Sequence, residues 1–300
     1  MRAGIVFASP PTKKDVNKVP ANIVLDPLLT AWLHEDFGRG DRTTDGLGDM
    51  VQRPGQAQWV AKAPGVIAGL PIAARVFQLL SPDLALKPLV AEGAVVEAGT
   101  AIAQLTGPLW GLLTGERVAL NLAMPLSGIA TATREYVNTI VDLPTQLVDT
   151  RKTTPGLRLL EKYATQVGGA CNHRMGLDDG VMVKDNHNAA AGAIEPAVSQ
   201  IRQRIPYPLT IEVETENPEQ VQAALTAGAD IIMLDNMAPA LMKTAVDLIR
   251  AESPHVKIEA SGNITLTTLR TVAETGVDYI STSATITRSP WLDLSMRIDS

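Results

Sequence analysis

The second half of the chain alternates short apolar runs with segments of helical length, and this rhythm constrains the fold more than any other feature. Apolar runs of strand length occur at residues 146–148, 181–183, 209–213, 230–234, 256–258 and 277–280. The segments between them carry helix signals. Asn217 is a helix N-cap followed by Pro218 in the first turn, and Gly228 and Gly276 follow helical runs as stops. Strands that alternate with helices predict parallel βα units.

These units predict a TIM-like α/β barrel of six or seven parallel strands over residues 126–287. The sequence contains no dinucleotide-binding fingerprint, which favours the closed barrel over a doubly wound sheet. The chain has 300 residues, 45% of them apolar, and it is therefore long enough for a barrel and a second domain.

Residues 26–125 predict an N-terminal α/β sandwich domain, because a helix-spaced segment is followed by short β-like runs broken by glycine and proline. Residues 1–25 are interpreted as a flexible leader. Residues 288–300 form a C-terminal tail that is a candidate to pack on the sandwich domain. The segment 115–141 has helical periodicity, and Pro125 is expected to kink or divide that helix.

Charge and composition exclude several classes of protein. The net charge is −6 and the pI is about 5.3, so the chain lacks the basic surface of a nucleic-acid-binding protein. No run of about 18 apolar residues is present to span a membrane. Cys171 is the single cysteine, which excludes an intrachain disulfide framework and fits a reducing cytoplasm. We therefore expect a cytoplasmic protein that binds neither nucleic acid nor membrane.

Each predicted barrel strand is followed by polar residues. They are Asp149-Thr150-Arg151-Lys152, Lys184-Asp185-Asn186-His187, Glu214, Asp235-Asn236, Ser261-Gly262-Asn263 and Ser281-Thr282-Ser283. The carboxyl ends of the strands of an α/β barrel converge on one face, where the active site lies. The sequence therefore predicts that these side chains share one site.

Positive charge is concentrated just after the first strand. Between residues 150 and 177 the cations are Arg151, Lys152, Arg158, Lys162 and Arg174, joined by His173, against the single acid Glu161. Arginine offers a planar fork for carboxylate or phosphate, and lysine offers a compact charge. We interpret Arg158 and Lys162 as solvent-facing helix charges, whereas the other cations, with Lys184, predict an anion site.

Two carboxylates and two small-residue loops complete the predicted site. Glu214 and Asp235 end neighbouring strands, and such a pair suits Mg²⁺ bridging phosphates or hydrogen bonds to sugar hydroxyls. The alternative is that both acids balance nearby lysines. The loops 261–263 and 281–284 follow the last two strands, where α/β barrels bind phosphate. A di-anionic molecule beside a phosphorylated sugar and its metal fits phosphoribosyl transfer.

Several long motifs also carry a family resemblance. The segments "DTRKTTPGLRLLEKYATQVGGACNHRMGLDDGVMVKDNH", "IEVETENPEQVQAALTAGADIIMLDNM" and "IEASGNITLTTLRTVAETGVDYIS" resemble quinolinate phosphoribosyltransferase, and "HEDFGRGDRTTD" and "TGERVALNL" resemble its N-terminal domain. The resemblance covers about residues 26–290. It implies conversion of quinolinate and 5-phosphoribosyl-1-pyrophosphate to nicotinate mononucleotide, CO₂ and pyrophosphate, with Mg²⁺ and no organic cofactor.

The resemblance also implies a role for each matched residue. Arg151, His173, Arg174 and Lys184 would bind the two carboxylates of quinolinate at the mouth formed by Thr150 and Arg151. The catalytic set Lys152, Glu214 and Asp235 would serve the phosphoribosyl donor and Mg²⁺, and Ser261, Gly262, Asn263, Thr282, Ser283 and Ala284 would cradle the 5-phosphate. Arg117 would reach into the active site of a partner subunit, which implies a homodimer or a higher homo-oligomer.

Two segments depart from the usual family pattern, one at residues 124–125 and one at residues 283–288. Met124-Pro125 replaces Gln-Arg, which puts the regularity of the helix and the subunit contact in doubt, and Thr287-Arg288 replaces Thr-His. Ser283 replaces a glycine, and phosphate binding should survive if φ stays negative there. Two alternative functions also stay open: a Schiff-base aldolase that uses Lys184 as its nucleophile, and a diverged non-catalytic or transport-linked relative that binds a metabolite.

Overall fold

The computed structural model describes residues 19–299, and these divide into two compact units. The first unit comprises the described chain up to Arg134, together with Leu159–Gly169 and the segment from Arg288 onward. The second comprises Glu135–Arg158 and Ala170–Thr287. The boundary therefore lies nine residues beyond the predicted one at residue 125, and the segment 159–169 groups with the first unit although it lies within the predicted barrel range.

The elements are as follows in chain order. The helices are α1 Asn22–Phe37, α2 Arg42–Gly46, α3 Leu70–Leu80, α4 Leu109–Thr139, α5 Arg158–Gly168, α6 Asp185–Ala191, α7 Ile194–Arg202, α8 Pro218–Thr226, α9 Pro239–Glu252, α10 Leu269–Ala273 and α11 Ala284–Thr287. The strands are β1 Pro54–Ala61, β2 Gly65–Val66, β3 Ala85–Pro88, β4 Val95–Val96, β5 Ala101–Pro108, β6 Gln146–Val148, β7 Val181–Val183, β8 Ile211–Thr215, β9 Ile231–Asp235, β10 Lys257–Ser261, β11 Tyr279–Ser281 and β12 Leu294–Ile298.

The predicted leader is too long at its carboxyl end. Residues 1–18 lie outside the described residues, but α1 begins at Asn22 and therefore includes the last four residues assigned to the leader. Leu25, Leu29 and Leu33 are buried at a helical spacing of four. The apolar stripe of this helix thus starts before residue 26, which is why helical order extends further back than the polar sequence suggested.

The first unit is built on a four-stranded antiparallel sheet in the order β12-β1-β5-β3, beside a small β2-β4 pair. The strand β12, from the C-terminal tail, pairs with β1 in the register Ala57↔Ile298 to Ala61↔Leu294. Trp59 and Phe77 are fully buried in this unit with their rings edge to face. The tail is thus an integral edge strand of the N-terminal sheet.

Helix α4 continues through Pro125 from Leu109 to Thr139, so the expected division at the proline is wrong. Proline removes one backbone hydrogen bond, but the residues around it on this long helix are buried, including Leu120, Leu126 and Ile129. The helix also packs closely against the tail, because a Cβ at Gly128 would lie 2.0 Å from the carbonyl oxygen of Pro290. Packing therefore holds the helix together across Pro125.

The second unit is an all-parallel sheet in the order β6-β11-β10-β9-β8-β7 with helices between successive strands, and the predicted TIM-like α/β fold is confirmed. The predicted helix signals are confirmed as well. Asn217 Oδ1 accepts a hydrogen bond from Gln220 N at 2.9 Å, and Gly228 and Gly276 have φ of +75° and +94° after α8 and α10. A parallel bridge from Val148 to Cys171 extends the β6 edge with the start of a seventh strand position.

The two faces of this sheet differ in character. Val213, Ile232 and Ile258 are fully buried in a cluster that includes the apolar side chains of the helices. Because side chains alternate along a strand, the neighbouring residues Glu212 and Glu259 lie on the opposite face. That face carries carboxylates even in the middle of strands, which marks it as the face of the site.

The helix-face charges after the first barrel strand are also placed differently from the prediction. Lys162 is fully buried rather than solvent-facing. Arg158 is half-buried, and its guanidinium donates to Thr153 Oγ1 at 3.1 Å and to the carbonyl of Met175 at 3.2 Å. The prediction that these charges face solvent assumed a helix with one exposed face. It is wrong for Lys162 because α5 is packed on more than one side.

In the described part of the chain, no helix has the combination of length and apolar character needed to cross a membrane.

Candidate active site

The loop that carries two of the predicted cations is anchored by Asp149, directly after β6. This carboxylate is buried, and its Oδ1 accepts a hydrogen bond from His173 N at 2.9 Å. Its Oδ2 accepts from Asn172 Nδ2 at 2.5 Å. Asp149 therefore fixes the side chain of Asn172 and the backbone of His173 against the end of β6, which brings His173 and Arg174 to the carboxyl edge of the sheet.

Arg174 is held by its own loop. Its Nη1 donates to the carbonyl of Gly180 at 2.9 Å. Asp179 closes the same turn, accepting from Met175 N at 2.7 Å and from Gly176 N at 3.0 Å. The guanidinium is thus presented by a loop whose backbone is fixed at several points.

Arg151 and Arg174 lie close enough to influence each other. Burial lowers the pKa of Arg174, and the positive charge of Arg151 lowers it further. Within residues 19–299 the side chains of Arg151 and Lys152 form no hydrogen bond or ion pair. Arg151 and Lys152 are therefore cations that no described anion pairs with, and such cations suit an anionic ligand.

His173 contacts two glutamates that sequence reasoning missed. Its Nε2 lies 3.0 Å from Glu212 Oε2 and 3.5 Å from Glu259 Oε2, and the side chains of both acids are at most 4% exposed. The predicted site residues follow the strands or lie at their ends, whereas these acids lie within β8 and β10. The signal that could have found them is a carboxylate flanked by apolar residues inside a strand, as in Ile-Glu-Val and Ile-Glu-Ala.

The charge state of His173 follows from these acids. Burial alone lowers the pKa of His173, but the hydrogen bonds and charges of Glu212 and Glu259 outweigh it and raise the pKa to about 10. Arg174 N lies 2.7 Å from His173 Nδ1, and that contact is a hydrogen bond only when the imidazole is neutral. We assign the imidazolium form, because two adjacent buried carboxylates without a counter-charge would cost several kcal/mol per ion.

Lys184 and Glu214, at the ends of β7 and β8, form an ion pair through Nζ and Oε2. The lysine side chain is 44% exposed. A Schiff-base nucleophile requires a desolvated lysine of lowered pKa. The pairing and exposure of Lys184 therefore do not favour the aldolase alternative.

The ends of β9 and β10 are linked by Asn236, which the sequence analysis placed at a strand end without giving it a role. Its Nδ2 donates to Asp235 Oδ2 at 2.6 Å, and its Oδ1 accepts from Asn263 Nδ2 at 3.0 Å. Asn236 and Asn263 have φ of 53° and 51°, the only positive values for non-glycine residues in the described chain. A Cβ at Gly262 would lie 2.2 Å from Asn236 Oδ1, so this close approach requires glycine.

The last predicted loop begins at Thr282, after β11. Its buried hydroxyl donates to the carbonyl of Ile264 at 3.2 Å and accepts from Ala284 N at 3.2 Å. Ser283 keeps a negative φ, since it is not among the described residues with positive values. The replacement of the usual glycine by serine is thus accommodated without backbone strain, as the sequence analysis required.

Comparison with known protein families agrees with this architecture. The model of the quinolinate phosphoribosyl transferase N-terminal domain matches residues 41–127, and the model of the C-terminal domain matches residues 129–297. Together the two matches account for most of the chain. The chain belongs to the quinolinate phosphoribosyl transferase family.

Similar proteins cover nearly the whole chain. A Synechocystis sp. protein named "Probable nicotinate-nucleotide pyrophosphorylase [carboxylating]" is 62% identical over 280 residues, which are 93% of this chain and 94% of that protein. The human nicotinate-nucleotide pyrophosphorylase [carboxylating] is 38% identical over 280 residues, 92% of each chain. A crystal structure of NadC from Streptococcus pyogenes is 39% identical, with a TM-score of 0.88 over 93% of this chain and 98% of that one.

The carboxylates that the family resemblance assigns to Mg²⁺ fit that ion in one specific way. Glu214 Oε2 pairs with Lys184 and Asp235 Oδ2 accepts from Asn236, and each carboxylate has a second oxygen. Among the described residues, the group of three side chains able to hold a metal is instead His173, Glu212 and Glu259. Glu214 and Asp235 therefore suit a Mg²⁺ held mainly by substrate oxygens and water.

Arg117, which the family resemblance assigns to a partner's active site, lies on α4 in the first unit and is exposed. Thr150, Arg151, Lys152, His173, Arg174, Lys184, Glu214, Asp235, residues 261–263 and residues 282–284 all belong to the second unit. The predicted site residues thus fall into one large group on the parallel sheet and one separate arginine.

Proposed function

We propose that the protein is a pentosyltransferase of NAD biosynthesis that transfers phosphoribosyl from 5-phosphoribosyl-1-pyrophosphate to quinolinate. The products are nicotinate mononucleotide, CO₂ and pyrophosphate. The observation that carries the proposal is geometric: Lys184, Glu214 and Asp235 lie at the ends of neighbouring parallel strands, and Asp149 holds the loop that carries His173 and Arg174 at the same edge. Membership of the family supports the same reaction, as do relatives that are named nicotinate-nucleotide pyrophosphorylase [carboxylating].

The cations bind the acceptor. Quinolinate has two carboxylates, and Arg151, Arg174 and Lys184 supply charge for both, with His173 as the fourth cation of the set. Arg174 is suited to bidentate recognition because Gly180 already orients its guanidinium. Lys184 exchanges part of its contact with Glu214 for the substrate carboxylate.

The carboxylates and the strand-end loops bind the donor. Lys152 is assigned to the pyrophosphate, Glu214 and Asp235 to the ribose hydroxyls and Mg²⁺, and the loops 261–263 and 282–284 to the 5-phosphate. The Mg²⁺, when bound, neutralises charge on the departing pyrophosphate. Asn236 orients both Asp235 and Asn263 and so links the metal region to the phosphate region.

The chemistry then needs positioning and charge. The bond from the anomeric carbon to the pyrophosphate oxygen breaks as the pyridine nitrogen forms its bond to that carbon, through an oxocarbenium-like state. The nitrogen becomes cationic. Loss of the adjacent carboxylate as CO₂ leaves its electron pair on the ring carbon, where the cationic nitrogen stabilises it until a proton is added. This route uses no organic cofactor.

A homodimer or higher homo-oligomer and a cytoplasmic location complete the proposal. The exposed position of Arg117 on α4 supports donation to a partner subunit, the role that the family resemblance implies. The single cysteine, Cys171, is free, which supports a reducing compartment. Analytical ultracentrifugation tests the oligomeric state. Mixing Arg117→Ala with the inactive Glu214→Ala protein tests the shared site, because activity should be restored if each subunit supplies the residue that the other lacks.

Release of CO₂ from carboxyl-labelled quinolinate tests the reaction. It should appear only when the donor and Mg²⁺ are both present. Quinolinate binding without turnover in the complete mixture would identify a non-catalytic relative, and borohydride trapping of a carbonyl substrate on Lys184 would identify an aldolase. The surface variant Lys243→Ala, whose ammonium pairs with Asp247 on α9, is the matched lysine control.

A further inference from the structure

Two glutamates in the interior of the parallel sheet have no role in the reaction described above. Glu212 on β8 and Glu259 on β10 are each 3% exposed. In the described part of the chain, the Oε1 atom of each carboxylate is buried without a hydrogen-bond partner. A half-satisfied buried carboxylate is destabilising. Whatever offsets that cost must therefore act through the other oxygen.

The other oxygens of both acids face one nitrogen. Glu212 Oε2 and Glu259 Oε2 lie 3.0 and 3.5 Å from His173 Nε2, and the backbone N of His173 is held by Asp149. The remaining ring nitrogen, Nδ1, lies 2.7 Å from Arg174 N. Both ring nitrogens therefore lie against protein atoms, and the contact at Nδ1 couples the orientation of the ring to the backbone of Arg174.

Charge within this group is balanced without any additional ion. Glu212 acts electrostatically on Arg174 as well as on His173. The two carboxylates are thus matched by one imidazolium and one guanidinium. The donor atoms of His173, Glu212 and Glu259 lie within 4.8 Å of one another, but a divalent cation added to them would leave an excess positive charge.

We propose that Glu212 and Glu259 are positioning residues for the acceptor site, which act through His173 to orient Arg174 toward the quinolinate carboxylates. In this arrangement His173 is a link between the buried acids and Arg174, and its contribution to substrate binding is indirect. The inference rests on the proposed function for the identity of the acceptor, but it concerns which residues hold the cations in place.

The test uses the charge-removing variants Glu259→Gln and Glu212→Gln, with Glu252→Gln on the exposed surface of α9 as the matched control. Each buried variant should weaken quinolinate binding about tenfold, measured by calorimetry without donor. The KM for the phosphoribosyl donor should stay within about twofold, because Lys152, Glu214 and Asp235 are untouched. Glu259→Asp, which keeps the charge, should recover part of the affinity.

A double-mutant cycle separates this role from a general loss of stability. In a His173→Ala background, Glu259→Gln should cause little further loss of quinolinate affinity, because the acid acts through the missing ring. An additive loss, an equal loss for both substrates or an unchanged quinolinate affinity would overturn the proposal. A Mn²⁺ titration without donor provides a further check. If the wild-type chain binds one Mn²⁺ and Glu259→Gln binds none, the cluster of His173, Glu212 and Glu259 is a metal site and the proposal is wrong.

Failure of this inference is distinguishable from failure of the proposed function. If wild-type protein releases CO₂ from quinolinate but Glu259→Gln and Glu212→Gln bind quinolinate normally, the reaction stands and the positioning role is wrong. If Glu259→Gln does not fold, the less disruptive Glu259→Asp carries the same comparison of acceptor and donor affinities.

Discussion

The two ends of the parallel strands use charged residues in opposite ways. At the amino ends, Asp230 Oδ2 accepts from the guanidinium of Arg202 at 2.8 Å and from Ile211 N at 2.7 Å. The same arrangement of an aspartate between a helix arginine and a strand backbone N occurs two strands further along the sheet. Asp278 Oδ2 accepts from Arg250 at 2.8 Å and from Ile258 N at 2.8 Å. Each acid joins a helix to the first residues of a neighbouring strand.

At the carboxyl ends the same residue types are left incompletely paired by the protein. Arg151 and Lys152 have no side-chain partner within the described chain, and Asn236 and Asn263 hold positive φ. Backbone strain and unneutralised charge both lower stability, and both cluster where a ligand binds. Charges satisfied by the protein thus stabilise the fold, whereas charges left for a ligand serve the site.

The largest expected effect is on turnover, at the carboxyl end. Glu214→Ala should lower kcat by about 10²- to 10³-fold, a loss typical of removing one preorganised electrostatic contact. Thermal stability should change little because the Lys184 side chain, half exposed, can reach water. Steady-state kinetics with both substrates and a melting curve check this. A stable Glu214→Ala protein with wild-type kcat would remove this residue from the catalytic set.

The next effect is on acceptor binding. Arg174→Ala should raise the KM for quinolinate by about 10- to 100-fold, which corresponds to a charged hydrogen bond of about 1.5–3 kcal/mol. The donor KM should be nearly unchanged. Arg174→Lys should recover only part of the loss, since lysine lacks the planar fork. Wild-type kinetics in Arg174→Ala would contradict the assignment of the anion site.

At the amino end the expected effect is on stability alone. Asp278→Asn should reduce the free energy of unfolding by about 1–3 kcal/mol, because the Arg250 guanidinium and Ile258 N lose a charged acceptor. Urea denaturation measures the loss, and kcat/KM in the absence of denaturant should match wild type. A change in substrate kinetics without a change in stability would break the distinction between the two ends.

A smaller effect is expected from Asn236, where backbone and side chain can be separated. Asn236→Gly tolerates the φ of 53° but loses the contacts to Asp235 and Asn263, so the donor KM should rise by severalfold with stability nearly intact. Asn236→Ala should add a stability loss of about 1 kcal/mol for the left-handed backbone. Equal stability of the two variants would argue against strain at this position.

The smallest effect concerns the pH dependence of quinolinate affinity, which should be nearly absent near neutrality. Glu212 and Glu259 raise the pKa of His173 to about 10, above its unfolded value near 6.5. The stabilisation from this group is therefore complete below about pH 6.5 and is lost as the pH rises through about 10. Quinolinate affinity should be flat from pH 7 to 9. A midpoint near 6.5 that disappears in His173→Ala would contradict the imidazolium assignment.

Sequence reasoning found the elements whose signals are local. The strands 146–148 and 181–183 were predicted with their observed bounds, because each is a short apolar run between polar segments. The polar strand ends also reached the same edge as expected, since parallel strands share a direction. Glu212 and Glu259 were missed because their partner, His173, is distant in sequence and joins them only through the loop that Asp149 anchors.

The remaining differences are also tertiary in origin. Lys162 was predicted to face solvent because it lies beside Glu161 in a helical segment. It is buried because α5 is packed on several sides. Pro125 was expected to kink or divide its helix, but packing keeps α4 undivided across the proline. In both cases a local propensity was overridden by burial that the sequence pattern does not display.

One stoichiometric measurement tests the central claim most directly. Purified protein, quinolinate labelled in its 2-carboxylate, the phosphoribosyl donor and Mg²⁺ are incubated, and labelled CO₂, pyrophosphate and nicotinate mononucleotide are counted together. The account predicts equal amounts of all three, and none without donor. Pyrophosphate release without labelled CO₂, or labelled CO₂ without the donor, would contradict it.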